Sequence, residues 1–238
     1  MMSKPIADNW FGIEQVDDHL LRIREIHIDP FFGGHMWLVD GRQSALLIDT
    51  GSGIKSLRAI LSSITSKPIS AVALNCFYDH AGGLHEFDEQ LAHEADAAAI
   101  ENPNGLTSAT DEYVSDAMLL ALPSAGYSTR DYRLRPTTIT RRLQHGEFIE
   151  LGDYSFEVIH TPGVTQGSIC LWEKTKGTLF TSDTLFLGPK SVKALPRNHK
   201  QYIQSLERLS TLPASVVHPG HFDSFGRETM EQVISSYH

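Results

Sequence analysis

The stretch Ala73-Leu74-Asn75-Cys76-Phe77-Tyr78-Asp79-His80-Ala81-Gly82-Gly83 constrains this chain more than any other. The apolar run at 70–74 reads as a short buried strand, and it leads into an adjacent carboxylate and imidazole. Two glycines follow, and glycine allows tight turning and close backbone approach that other residues resist. A strand end that delivers Asp79 and His80 together is a place where chemistry can sit.

The flanking sequence places that turn in an α/β setting. Residues 20–28 alternate through Leu21, Ile23, Ile26 and Ile28, and 36–39 are apolar up to a polar turn. Residues 44–51 read as a buried strand closed by a Gly turn, and 54–64 has helical spacing. Segment 85–100 is expected to be one helix. Strands are expected at 147–151, 156–160, 168–172, 178–181 and 216–217, with helices at 201–212 and 227–237. Alternation of this kind predicts layered α/β architecture with partly mixed sheets, a single domain over 1–238.

Residues 101–142 are less regular. They carry an apolar patch of helical spacing at 117–122 and five arginines, Arg130, Arg133, Arg135, Arg141 and Arg142. One reading is an exposed connection with solvated charges. The other is a cap over an active site, with an arginine or two pairing with an anionic substrate.

A chain of 238 residues with 41% apolar content can bury a sizeable core. Its net charge of −9 argues against a nucleic-acid partner, which needs clustered cations. Cys76 and Cys170 are too few for a disulfide framework, so a reducing cytoplasm is the expected setting. No apolar run approaches membrane-spanning length, and the N-terminus has no signal-peptide core.

Five blocks, in order, resemble the metallo-β-lactamase-fold hydrolases over about residues 19–225. They are Leu46-Leu47-Ile48-Asp49-Thr50-Gly51, Asp79-His80-Ala81-Gly82-Gly83, His160-Thr161-Pro162-Gly163, Phe180-Thr181-Ser182-Asp183-Thr184-Leu185-Phe186, and Pro219-Gly220-His221. The resemblance implies a four-layer αββα sandwich. Two-metal members of that family read His-x-His-x-Asp-His at the turn. They build a first site from three histidines and a second from Asp, two His and a shared Asp. Carried onto this chain, the second site is complete as Asp79, His80, Asp183 and His221. The first-site positions hold Asn75, Phe77 and Val164.

The resemblance therefore implies one divalent metal, zinc before iron or manganese, in a hydrolase of a small ester, thioester, lactone or amide. Two carboxylates and two imidazoles suit such an ion, whereas Phe77 and Val164 offer no lone pair and the Asn75 amide is a poor zinc ligand. Asp79 or Asp183 can double as proton acceptor. The rival is a non-catalytic protein that binds a small ligand or partner with a structural metal or none.

Plainer readings stand beside each residue. Asp79 can cap a helix, His80 and His221 can bond backbone carbonyls, and Asp183 can stabilise a turn. Tyr78 can donate to a substrate carbonyl or simply pack. His160 fits a supporting place behind the ligands. His35 and His85 are candidate replacement ligands, although a lone histidine is usually structural. No Gly-x-Ser-x-Gly elbow, P-loop or dinucleotide fingerprint offers another chemistry.

Overall fold

The computed structural model describes residues 4–188 and 196–237. One sheet runs in chain order through β1 (Phe11–Asp17), β2 (Leu20–Glu25), β3 (Met36–Asp40), β4 (Ala45–Ile48), β5 (Ile69–Ala73), β6 (Glu89–His93) and β7 (Arg141–Leu143). The second contains β8 (Phe148–Glu150), β9 (Ser155–His160), β10 (Ile169–Glu173), β11 (Thr178–Ser182), β12 (Val216–Pro219) and β13 (Phe225–Gly226), in reverse order from edge to edge. Both sheets are mixed. β4 to β7 pair parallel, and so do β11 and β12.

The continuous apolar runs are explained by burial on both faces. Successive strand side chains point to opposite faces. Trp37, Val39, Leu46, Ile48, Val72, Leu74, Ile169, Leu171 and Phe180 meet between the sheets. Their neighbours Met36, Leu38, Leu47, Ala71, Ala73, Cys170, Trp172 and Leu179 face the helical layers. Burying a large apolar side chain contributes about 1.5–3 kcal/mol, so these two interleaved sets fix the register of the layers. Helices α1 (Leu57–Leu61) and α3 (Glu94–Glu101) contribute Leu57, Leu61, Ala97 and Ile100 to the outer core. Helices α5 (His199–Ser210) and α6 (Arg227–Ser235) contribute Tyr202, Leu206, Leu209, Met230, Val233 and Ile234. The result is the four-layer αββα sandwich.

Several elements differ from expectation. Segment 85–100 is a 3-10 turn at Leu84–Glu86, then β6, and only then α3. Parallel pairing of β6 with β5 places Leu91 between the sheets, and this long-range gain overrides local helical preference. The helix expected over 54–64 shortens to α1, and β1 was not anticipated because its face is largely exposed and weakly patterned. Residues 117–122 are not helical. After a 3-10 turn at Asp116–Met118 the chain is extended, bridging Leu119 to Ile28 and Leu122 to Ile6, with Leu120 turned outward.

The arginines of 130–142 are mostly held locally. Arg142 Nη2 donates to both carboxylate oxygens of Glu101, Arg141 donates to the Phe148 carbonyl, and Arg133 donates to carbonyls of Arg130 and Tyr132. Among the described residues no helix is long and apolar enough to cross a membrane.

Candidate metal centre

The functional side chains sit where strands end. Asp49 follows β4 with a φ of 60°, and Ser182 ends β11 with a φ of 46°. Such left-handed backbone costs a side-chain-bearing residue on the order of 1–3 kcal/mol and needs support. Ser182 Oγ donates to Asp49 Oδ2 at 2.9 Å, and Asp49 Oδ1 accepts from Leu74 N at 2.8 Å. The two strained corners therefore hold each other across the gap between the sheets.

Beyond β5 the chain turns into the single helical turn α2 (Tyr78–Ala81), which presents Asp79 and His80 side by side. Phe77 occupies the N-cap position and no side chain caps the turn, so the capping reading of Asp79 does not hold. Two glycines are required by space. A Cβ on Gly82 would stand 2.3 Å from the Ser52 carbonyl oxygen, and one on Gly220 would stand 2.8 Å from His80 Cε1. Gly220 thereby lets the loop after β12 bring His221 against α2.

Four groups converge. Asp183 Oδ1 lies 3.1 Å from Nε2 of both His80 and His221. Asp79 Oδ2 lies 3.5 Å from His80 Nε2 and 3.2 Å from His221 Nε2. Ligand atoms of Asp79, His80 and His221 lie within 4.8 Å of one another, a spacing that can hold a metal ion.

The far side of each ring decides what its Nε2 can do. With the Nδ1 proton of His80 assigned to the 2.7 Å bond to Asp49 Oδ2, the Nε2 lone pair points into the cluster. His221 is oriented alike, Nδ1–H toward the Pro30 carbonyl at 3.2 Å. Two lone pairs and two carboxylates facing one point repel unless positive charge lies among them. Two ring protons or one cation can supply it. Without a cation, burial pushes the imidazole pKa values down, but the surrounding carboxylates more than reverse this. His80 is held protonated well above the usual range, and His221 is raised to about 10. Burial likewise opposes ionisation of Asp183, and the two imidazoles overcome it, drawing its carboxyl well below its ordinary range. A divalent ion suits this arrangement because the fully buried His80 Nε2, although 3.1 Å from Asp183 Oδ1, makes no well-aligned hydrogen bond.

The family model described as the metallo-beta-lactamase superfamily matches residues 29–221. The chain belongs to this superfamily. It thereby joins a largely hydrolytic family of enzymes. It is 32% identical over 248 residues to acyl-coenzyme A thioesterase MBLAC2 of Bos taurus, covering 97% of this chain and 88% of the relative. The Homo sapiens protein of that name gives the same identity and coverage. Among solved structures, a metallo-beta-lactamase from Pontibacter korlensis superposes with a TM-score of 0.70 at 17% identity, covering 95% of this chain and 98% of that one. That last likeness shows the fold alone.

Within this metallo-beta-lactamase fold, the three positions assigned from the sequence to an emptied first site are all buried. Asn75 accepts from Phe77 N at 2.8 Å, and its Nδ2 donates to Asp183 Oδ2 at 3.0 Å and Ser182 Oγ at 3.2 Å. Phe77 and Val164 are buried in the outer apolar core. The Arg197 guanidinium carbon stands 4.7 Å from the Phe77 ring centroid.

The other candidates have other partners. Tyr78 is buried and commits its hydroxyl to the Phe32 carbonyl at 2.6 Å, which leaves no proton for a substrate. His160 stacks on His93 at 3.9 Å and bonds the Gln166 carbonyl. His85 Nδ1 faces the Gly82 carbonyl and Nε2 faces Arg135. His35 bonds the Gly220 carbonyl through its backbone N–H, while burial and neighbouring positive charge push its ring to about 2. Cys76 is no nucleophile: burial drives its thiol well up.

Three contributors escaped sequence reasoning. Asp49 lies in the first of the five family blocks and ends a recognisable strand, but neither signal gave it a role at the site. Asp96, on α3, accepts from Cys76 N at 3.1 Å, Thr165 Oγ1 at 2.5 Å and Gly167 N at 2.8 Å. It clamps the loop holding Asn75 and Phe77 to the loop following Val164. Neither Asp96 nor Arg197 carries any motif.

Proposed function

We propose that this protein hydrolyses a small acyl thioester with one divalent metal, zinc before iron or manganese, held by Asp79, His80, Asp183 and His221. The observation that carries this reading is the orphaned, fully buried Nε2 of His80 facing two carboxylates. Thioesters are preferred over esters, lactones and amides because the relatives that match nearly the whole chain are named acyl-coenzyme A thioesterases.

A divalent cation held there supplies charge that polarises the substrate carbonyl. The chain's own groups do the rest. Asp49 and Pro30 fix the two imidazoles from behind, and Asn75 fixes Asp183. Asp79 or Asp183 accepts a proton from the attacking water. The water oxygen bonds the carbonyl carbon, the carbon–sulfur bond breaks, and the proton passes to the departing thiolate. Segment 101–142 serves as the cap of this one domain. Two free, buried cysteines support a cytoplasmic setting. The substrate is a small molecule, with no role for nucleic acid or membrane.

The test joins metal content to turnover of octanoyl-coenzyme A. Protein purified without chelator is expected to carry about one equivalent of metal and to lose it, with activity, in Asp183→Ala. Less than about a tenth of an equivalent in the wild type would instead favour a metal-free binding scaffold.

A further inference from the structure

We infer that Arg197 is the anion anchor of this site and selects thioesters whose leaving thiol carries phosphate. The inference rests on the thioesterase reading above. The guanidinium is placed by two contacts. It lies over the Phe77 ring at 4.7 Å to the centroid, an arrangement the ring quadrupole favours, and Nη2 donates to the Leu106 carbonyl at 2.8 Å. Phe77 directly precedes Tyr78-Asp79, so this cation stands on the residue that opens the metal-binding turn. Tyr113 closes the short helix α4 (Thr110–Tyr113).

Charge supplies the second argument. Among the described residues no carboxylate pairs with Arg197; several other arginines also lack one, and what sets Arg197 apart is its seat on Phe77. The chain carries −9 overall, and at the site two carboxylates offset the divalent ion, so no positive charge is left over for a phosphate. A separate cation is needed to receive it, and a forked guanidinium suits phosphate oxygens. An apolar rim flanks His221. Phe31, 41% exposed, packs edge-on against Phe32 and Tyr113, and Phe186 lies against His221. Acyl carbon fits that rim while the phosphate end of the thiol reaches Arg197.

The experiment compares octanoyl-coenzyme A with octanoyl-N-acetylcysteamine, the same acyl group on an uncharged thiol, using metal-loaded full-length protein. Arg197→Gln is expected to lower the ratio of kcat/KM for the charged over the neutral thioester about tenfold, through KM. Arg197→Lys is expected to recover part of it, since a lysine keeps charge but loses the fork. Arg227→Gln, on α6 and paired with Glu231, serves as the control arginine and leaves the ratio unchanged. Calorimetric binding of coenzyme A itself gives a readout without turnover, and its affinity is expected to fall with Arg197→Gln. A wild type that hydrolyses both thioesters at a ratio Arg197→Gln does not move overturns the anchor and leaves the thioesterase standing. Coenzyme A bound through Arg197 by a protein that hydrolyses neither thioester supports the anchor and sinks the thioesterase. No binding of coenzyme A to the wild type overturns the anchor outright.

Discussion

Asn75 donates its side-chain amide to Asp183, Nδ2 to Oδ2 at 3.0 Å, and so ties the end of β5 to the end of β11. The residue at a position expected to be an emptied ligand thus orients a proposed ligand of the neighbouring site. Its Oδ1 is occupied by Phe77 N, which fixes the amide's direction.

Asn75→Leu keeps the volume and removes the donor. Groups that orient a ligand from behind are typically worth about 10–100-fold in metal affinity, and the lower end is expected because only one of the three hydrogen bonds lost reaches Asp183. Competition against a chromophoric chelator measures this. Unchanged affinity would show that Asp183 needs no such support.

Asp49→Asn turns an acceptor into a mixed group beside His80 Nδ1–H and Ser182 Oγ–H, both of which donate to Oδ2. Metal affinity is expected to fall about 10–100-fold while the folded far-ultraviolet circular dichroism spectrum persists. The cobalt-substituted absorption spectrum should also shift, because His80 loses its fixed orientation.

Metal-free protein has a specific pH signature. His221 is raised from 6.5 to about 10 in the folded state, and His80 is raised as well. A raised folded-state pKa contributes stability that is full below the unfolded value and lost as pH rises through the folded one. The apo protein is therefore expected to lose melting temperature between about pH 7 and pH 10, and the metal-loaded protein to lose much less. Metal binding at pH 7 should also release protons, which calorimetry in buffers of different ionisation enthalpy detects. Proton-neutral binding would contradict the arrangement.

Asp96→Ala leaves two buried backbone N–H groups and the Thr165 hydroxyl short of an acceptor. A destabilisation of about 2–4 kcal/mol is expected, read from the denaturant midpoint. A loss under about 0.5 kcal/mol would mean that water replaces the carboxylate.

Much of the fold was legible because its causes are local or repetitive. Residues 44–51 could be read as a buried strand, and 168–172 as a strand, from their apolar runs alone. Segment 85–100 could not, because Glu89–His93 becomes a strand only through pairing with β5. The same holds for 117–122, whose extended form comes from bridges to residues far back in the chain.

The sequence by itself determined the family motifs in their order, the adjacency of Asp79 and His80, and the absence of histidine at Asn75, Phe77 and Val164. These are properties of neighbouring residues and need no folding to be seen. Only the tertiary structure decided that Asp183 Oδ1 sits 3.1 Å from two imidazoles, that Asp49 stands behind one of them, and that Arg197 rests on Phe77. Those relations join the ends of strands in two different sheets. They exist because interleaved apolar faces fix the sheets against each other, and the pattern that drives this packing carries no mark of which loop ends will meet.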